Sequence, residues 1–123
     1  MLTFQLGYDV KPEVIIESLR RRASREVFVA ANGEQVLGWV AVSLHDPFVE
    51  GPGAHLDGLV VDQSVRSTGI GARLLAAAEA WARERNCNEM HLHSNVIRNR
   101  AHAFYRRHGY ATLKAQYYFR KPL

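Results

Sequence analysis

The sequence predicts a mixed α/β (α+β) fold in a single domain of residues 1–123. A valine-rich run at Ala54–Val61 has the β-branched content of a buried strand. Residues 71–85 follow it with apolar positions at helical spacing. Asn32 and Gly33 separate two β-branched runs, which predicts a hairpin turn. Strands and helices therefore alternate along one chain, which is typical of helices packed on a sheet.

Composition favours a globular protein with one core. The chain has 123 residues, of which 47% are hydrophobic and 23% charged. No apolar run approaches the ~20 residues of a membrane span, so no membrane partner is expected. The N-terminus lacks a basic-then-apolar signal pattern, and a single cysteine, Cys87, fits a reducing compartment. We therefore expect a cytoplasmic location.

The charge balance favours an anionic partner. The formal net charge is +4 and the sequence pI is about 9.6. A multiply phosphorylated small molecule and a nucleic acid both fit that charge. The basic residues follow no nucleic-acid-binding motif at recognisable spacing, so nucleic acid is the weaker prediction.

The elements before the valine-rich strand are predicted from local signals. Residues 11–22 have Pro12 at a first helical position and an apolar stripe, which predicts a helix. Residues 26–31 and 35–43 are the two strands of the hairpin. Gly38 inside the second strand indicates a bulge or a close backbone approach.

The remaining elements follow the long helix. Met90–His93 is a predicted strand, and residues 98–108 are a predicted helix that ends at Gly109. Residues 110–113 and 117–121 are predicted to be a closing pair of strands. The acidic and aromatic loop at residues 45–53 has two interpretations, a contact for an amine and a solvent-exposed connection.

The loop between the valine-rich strand and the long helix has the composition of an anion site. Its pattern is Arg66-x-x-Gly69-x-Gly71. Glycines let the backbone approach a ligand closely, and the N-terminus of a helix adds partial positive charge. Together they predict a site for phosphate or pyrophosphate. The dinucleotide-binding fingerprint does not fit, because Leu74 stands where its third glycine is required, and the P-loop signature is absent.

This pattern resembles the acetyl-CoA-binding motif of the GNAT superfamily of N-acetyltransferases. A second segment supports the resemblance: Ala101, Phe104, Tyr105, Gly109 and Tyr110 match the family's A-x-x-F/L-Y-x-x-x-G-F/Y segment in order and spacing. The likeness covers residues 27–123. It implies an enzyme that transfers acetyl from acetyl-CoA to a primary amine by direct attack in a ternary complex.

The resemblance also implies the fold and the cosubstrate site. The expected sheet is mixed and mostly antiparallel, splayed between Ala54–Val61 and Met90–His93, with helices on both faces and the cosubstrate in the opening. Loop amides would bind the pyrophosphate, and strand backbone groups would bind the pantetheine arm. The expected contacts are Leu59, Val60, Val61, Arg66, Ser67, Thr68, Gly69, Ile70, Gly71, Ala72, Ser94, Asn95 and Arg98.

The catalytic candidates are one tyrosine and two residues of the valine-rich strand. Tyr105 falls on the family position whose hydroxyl lies near the coenzyme A sulfur, which implies a general acid for the departing thiolate. The other interpretation of Tyr105 is a core aromatic. His55 and Asp57 share a strand face and are both candidates for the general base, with attack through water as a third route. Asp57 could instead only bind a cationic amine.

One departure from the family pattern and two alternative functions complete the analysis. The residues before residue 11 are too few for the family's first strand and helix, so the first strand is expected to be missing and the strand at residues 26–31 to be a sheet edge. Pairing with a second copy would cover that edge, which predicts a homodimer. No metal is expected, because His91 and His93 lack a supporting Cys, Asp or Glu pattern. A non-catalytic acyl-CoA-binding module and a basic nucleic-acid-binding domain are the alternative functions.

Overall fold

The computed structural model describes residues 14–22, 24–44, 53–66, 68–93, 99–115 and 117–123. These residues belong to two compact units, one that ends at Leu92 and one that begins at His93. The single domain predicted from the sequence stays a prediction.

The first unit is a five-stranded sheet with strand order β1-β2-β3-β4-β5. The first four strands are antiparallel neighbours, and β5 is parallel to β4. A 3-10 turn, Gln63–Val65, and the helix α1, Ile70–Glu84, follow β4. The strands are β1 Val14–Arg22, β2 Arg25–Asn32, β3 Gln35–Leu44, β4 Ala54–Val61 and β5 Met90–His91. The sheet is thus mixed and mostly antiparallel, as predicted.

The helix predicted over residues 11–22 is wrong for its described part, because β1 occupies Val14–Arg22. β1 pairs antiparallel with β2 along its whole length, from Val14↔Asn32 to Arg22↔Arg25. The apolar spacing fitted a helix, but three consecutive β-branched residues at its start favour an extended chain, and pairing with β2 decides between them.

This pairing also corrects the expectation that the first strand is missing and β2 is a sheet edge. β1 covers β2, so the edge strands of the described sheet are β1 and β5. The homodimer was predicted because β2 would be uncovered. Since β1 covers β2, that reason no longer applies, and the homodimer stays a prediction.

Helix α1 covers one face of the sheet. Its buried residues are the predicted stripe of Ile70, Leu74, Leu75, Ala78, Trp81 and Ala82. From the sheet, Leu37, Val40 and Val42 are fully buried. Gly38 lies under the helix, because a Cβ there would be 3.2 Å from Leu74 Cδ1 of α1, and it would also approach the Val60 carbonyl oxygen of β4 to 2.6 Å. The strand register also shifts beside Gly38, between Ala30 and Ala31 of β2, so both predictions for this glycine are confirmed.

A bulge at Asp57 divides β4 into two parts. Gly58 pairs with Ala41 and Leu56 with Val42, so Asp57 is an extra residue. Before the bulge, His55 pairs with Ser43; after it, Leu59 pairs with Val40. Ser43 and Val40 lie on opposite faces of β3, so the bulge reverses the faces of β4. The simple two-residue period, which placed Leu59 and Val61 on the face of His55, therefore fails.

The splay predicted between β4 and β5 agrees with their pairing. Among the described residues, the two strands pair only at Ala54↔Met90 and His55↔His91. No other described residue pairs with the rest of β4 on that side. β5 is also shorter than the predicted Met90–His93 strand.

The second unit contains α2, Asn99–Arg107, inside the helix predicted over residues 98–108. Gly109 follows with φ +92°, the left-handed conformation of a helix end. The two closing strands predicted for residues 110–113 and 117–121 are wrong: the described residues there are in neither helix nor strand. Tyr117, Tyr118 and Phe119 are 91%, 89% and 88% exposed. Aromatic and β-branched content favours a strand only where a neighbouring strand pairs with it.

Within the part of the chain that the structure describes, no helix has the length and apolar character that crossing a membrane requires.

Candidate active site

The corner between β4 and α1 is fixed by hydrogen bonds of the chain to itself. The Asp62 amide donates to the Leu37 carbonyl at 2.7 Å, which ties the corner to β3. Asp62 Oδ1 accepts from the Ser64 amide and from the Ser64 hydroxyl, each at 2.9 Å. The Val65 side chain is fully buried, and the Thr68 hydroxyl donates to the Val65 carbonyl. The chain therefore reaches α1 along one defined path.

The hydrogen bonds at Asp62 also set its charge. Donation from the Ser64 amide, then from the Ser64 hydroxyl, and the nearby Arg66 guanidinium hold the pKa of Asp62 below its ordinary value of 3.8. Asp62 is consequently ionised at neutral pH and acts as the cap of the 3-10 turn.

The first turn of α1 presents main-chain donors. Gly69 is the N-cap with φ +88°, a conformation that side chains rarely adopt, and open space lies where its Cβ would be. Ile70, Gly71 and Ala72 are the first three helical residues, so their N–H groups have no carbonyl acceptor within α1. No residue of this turn is acidic. The corner thus combines directed amides with the positive end of a 15-residue helix, a suitable site for a diphosphate.

The two arginines near this corner differ in role. Arg66 is exposed, as expected for a residue that could add charge to a phosphate. Arg73, on the first turns of α1, donates from Nη2 to the Val14 carbonyl at 3.2 Å and so links α1 to β1. Sequence analysis missed this link because β1 itself was not predicted.

Three polar side chains meet on the sheet face opposite α1. His55 Nδ1 and Asp57 Oδ1 are 2.8 Å apart, and the Ser43 hydroxyl donates to the same carboxylate oxygen at 3.0 Å. The structure therefore brings together the two predicted base candidates. Sequence analysis missed Ser43, because only the β3–β4 register shows that it pairs with His55.

His91 lies on β5 at the register position of His55. Its Nε2 is 3.2 Å from Glu89 Oε1. Among the described residues, no group of three or more His, Cys, Asp or Glu side chains is placed to hold a metal ion.

Tyr105, the predicted general acid, lies on α2 in the second unit. Its ring packs edge-on against Phe104 at 5.3 Å and against Tyr110 at 5.8 Å between centroids. It is half-buried, so the ring packs in an aromatic cluster and part of the side chain stays accessible. Four predicted cosubstrate contacts, Ser67, Ser94, Asn95 and Arg98, lie outside the described residues, as does the loop at residues 45–52.

A family model described as "Acetyltransferase (GNAT) family" matches residues 3–110. The chain belongs to this family. The resemblance predicted from the glycine loop and the tyrosine segment is thereby confirmed.

Individual relatives agree. The chain is 38% identical over 98 residues to an aminoglycoside N(6')-acetyltransferase type 1 of Stenotrophomonas maltophilia, an alignment that covers 76% of this chain and 63% of the relative. It is 32% identical to a protein of the same name from Klebsiella aerogenes, over 90% of this chain and 74% of that one. The chain thus spans less than two thirds of the first relative's length.

The fold has solved counterparts. A structure of the aminoglycoside N-acetyltransferase AAC(6')-Iy in complex with CoA matches with a TM-score of 0.76 and 22% identity, covering 83% of this chain and 79% of that chain. At this identity the match establishes the fold alone, and it confirms the predicted fold class.

Proposed function

We propose that this protein transfers the acetyl group of acetyl-CoA to a primary amine of a small molecule, by direct attack in a ternary complex. The observation that carries the proposal is the course of β4. This strand carries the His55–Asp57 pair and then leads directly into the main-chain anion site at residues 62–72. At ~3.3 Å per strand residue, Asp57 and the end of β4 are ~13 Å apart, so an elongated cosubstrate could lie along the strand.

Main-chain groups would hold acetyl-CoA. The amides of Gly69, Ile70, Gly71 and Ala72 face its diphosphate, and Arg66 adds positive charge. The backbone of Leu59, Val60 and Val61 would bond the pantetheine arm along the side of β4 where no described residue pairs with them, and an N–H there would polarise the thioester carbonyl.

The reaction then proceeds in one transfer step, without a covalent enzyme intermediate. The amine nitrogen attacks the thioester carbon, the new C–N bond forms and the C–S bond breaks. The amine loses a proton to the base, and the departing thiolate takes a proton from the Tyr105 hydroxyl.

His55 is our choice of base, acting directly or through water. The Asp57 side chain is 40% exposed, so it lacks the burial that a carboxylate base requires. When His55 donates its Nδ1 proton to Asp57, the ring lone pair is on Nε2, the arrangement of an oriented imidazole base. Asp57 would orient His55 and attract a cationic amine.

The first experiment measures release of free thiol from acetyl-CoA across a panel of amines. The names of the relatives put aminoglycosides with a 6'-amine first in the panel. Amine-dependent release supports the proposal. Binding of acetyl-CoA without release by any amine would contradict it and support the non-catalytic acyl-CoA-binding module.

The base is tested by the steady-state kinetics of His55→Gln and Asp57→Asn. His55→Gln should lower kcat/KM by about 100-fold or more, because the imidazole that accepts the amine proton is removed. Asp57→Asn should lose less activity, because the imidazole remains. Ser43→Ala, which removes one hydrogen bond to Asp57, is the control and should change kcat/KM by only a few-fold. A wild-type kcat/KM in His55→Gln would contradict its role.

A cytoplasmic location remains part of the proposal. Acetyl-CoA is used in a reducing compartment, and the described Cys87 is a free thiol.

A further inference from the structure

Trp39 presents its indole on the sheet face that carries Asp57. It is 38% exposed, although large aromatic side chains are usually more deeply buried. Trp39 and Ser43 are four residues apart on a regular part of β3 and so share a face, and Ser43 donates to Asp57. The indole and the carboxylate therefore open on the same side of the sheet.

The indole fits there because Gly58 has no side chain. A Cβ at Gly58 would lie 3.0 Å from both Cη2 and Cζ3 of Trp39. Gly58 follows the bulged Asp57 directly, so the outer ring edge lies over the residue next to the carboxylate. Val60, the register partner of Trp39, is 48% exposed and extends the apolar surface along β4.

We propose that Trp39, Val60 and Asp57 form the acceptor-binding surface, and that it selects amines carried on a saturated ring. This inference rests on the proposed acetyl transfer. The carbon framework of the acceptor packs on the flat indole, and its ammonium group approaches Asp57 and the electron-rich ring face. Aminated sugars and cyclitols combine these two features.

The same surface disfavours two other amine classes. An α-amino acid would bring its own carboxylate close to Asp57, where like charges repel. A linear polyamine satisfies Asp57 but has no rigid ring face to cover the indole, so it gains little from Trp39. Trp39 thus acts on specificity, and Gly58 is a positioning residue for the indole.

The test compares two acceptors, a 6'-amino aminoglycoside and a linear diamine. Trp39→Ala should raise KM for the aminoglycoside about 10-fold, change KM for the diamine less than about twofold, and leave KM for acetyl-CoA unchanged. Gly58→Ala should shift the aminoglycoside KM in the same direction by a smaller factor. Trp39→Phe should raise KM for the aminoglycoside less than Trp39→Ala does, because phenylalanine keeps an aromatic ring face.

Val36→Ala is the matched control, since Val36 is an exposed apolar residue of the same strand, 56% exposed, and pairs with Ala31 far from Asp57. It should leave both KM values at the wild-type level. Equal KM changes for both acceptors in Trp39→Ala, or no change for either, would overturn the inference.

Acetyl transfer by the wild-type protein distinguishes a failure of the proposed function from a failure of the acceptor-binding surface. If it transferred acetyl to neither acceptor, the proposed function would fail and calorimetry would still test the surface. Tighter binding of the aminoglycoside to wild type than to Trp39→Ala, with equal melting temperatures, would support the surface. Equal affinities would overturn it.

Discussion

The corner between β4 and α1 and the open face around Asp57 lie on the same strand but are built from different parts of the chain. In the corner, the groups proposed to contact the ligand are backbone amides, and the side chains of Asp62, Ser64 and Val65 shape the path. On the open face, the groups proposed to contact the ligand are side chains, and the backbone bulge lies at Asp57.

The first site depends on the conformation of the backbone, and the second depends on the chemical groups of its side chains. A main-chain site tolerates any residue that adopts the same φ and ψ, so its critical positions are glycines. A side-chain site depends on the identity of each group. We therefore expect substitutions that change the backbone conformation of the corner to affect cosubstrate affinity. Substitutions of the side chains on the open face should affect turnover and acceptor choice.

The largest effect should come from a side chain. Tyr105→Phe removes the proposed proton donor and keeps the ring, so kcat should fall by about 10²- to 10⁴-fold while the Kd for coenzyme A changes less than about twofold. Steady-state kinetics and calorimetry measure the two quantities. Tyr110→Phe, in the same aromatic cluster, is the control and should keep its turnover. Wild-type turnover in Tyr105→Phe would show that the thiolate takes its proton elsewhere.

The main-chain site should respond to strain at its N-cap. Gly69→Val places a β-branched residue at φ +88°, where a side chain costs about 1–2 kcal/mol or more, so the amides move. We expect coenzyme A affinity to fall at least about 10-fold by calorimetry. Gly33→Val, at φ +61° in the β2–β3 turn, should lower the melting temperature without changing this affinity. If Gly69→Val and Gly33→Val bind coenzyme A equally tightly, the backbone conformation of the corner does not set cosubstrate affinity.

The smallest effect concerns the side chain that shapes the corner. Hydrogen bonds from Ser64 lower the pKa of Asp62, so its carboxylate stabilises the fold fully above the ordinary value of 3.8, and this contribution disappears as pH falls through the lowered pKa. Asp62→Asn lacks the contribution at every pH. The gap in melting temperature between wild type and variant should be constant above pH ~5 and should shrink below pH ~4.

Ser64→Ala removes one of the two donors and should produce a smaller gap with the same pH dependence. A gap that stayed the same down to pH ~3 would mean that Asp62 acts only through its shape, because an ionised carboxylate would then be unnecessary.

Local signals predicted the central elements well. β4 has the predicted bounds, and α1 begins at Ile70, one residue before the predicted range. Here the signals agree with one another: β-branched content for the strand, then glycines, then a helical apolar stripe. The family was also predictable, because its motif consists of glycines whose backbone role does not depend on distant neighbours.

Local signals failed where a neighbouring strand decides the outcome. The stripe of Val14, Ile15 and Leu19 fitted a helix, yet the residues form β1 because β2 offers a partner. The aromatic residues near Tyr117 fitted a strand, yet the described residues there form none. The sequence contained the side chains but not the partner, and strand formation depends on both.

By itself, the sequence determined the family and predicted the main-chain anion site and the two base candidates, because each depends on residues close together in the chain. Only the tertiary structure decided that Asp57 is an unpaired bulge residue, that Ser43 donates to it and that Trp39 lies over Gly58. Register and bulges are set when strands pair, so contacts between β3 and β4 are properties of the assembled sheet.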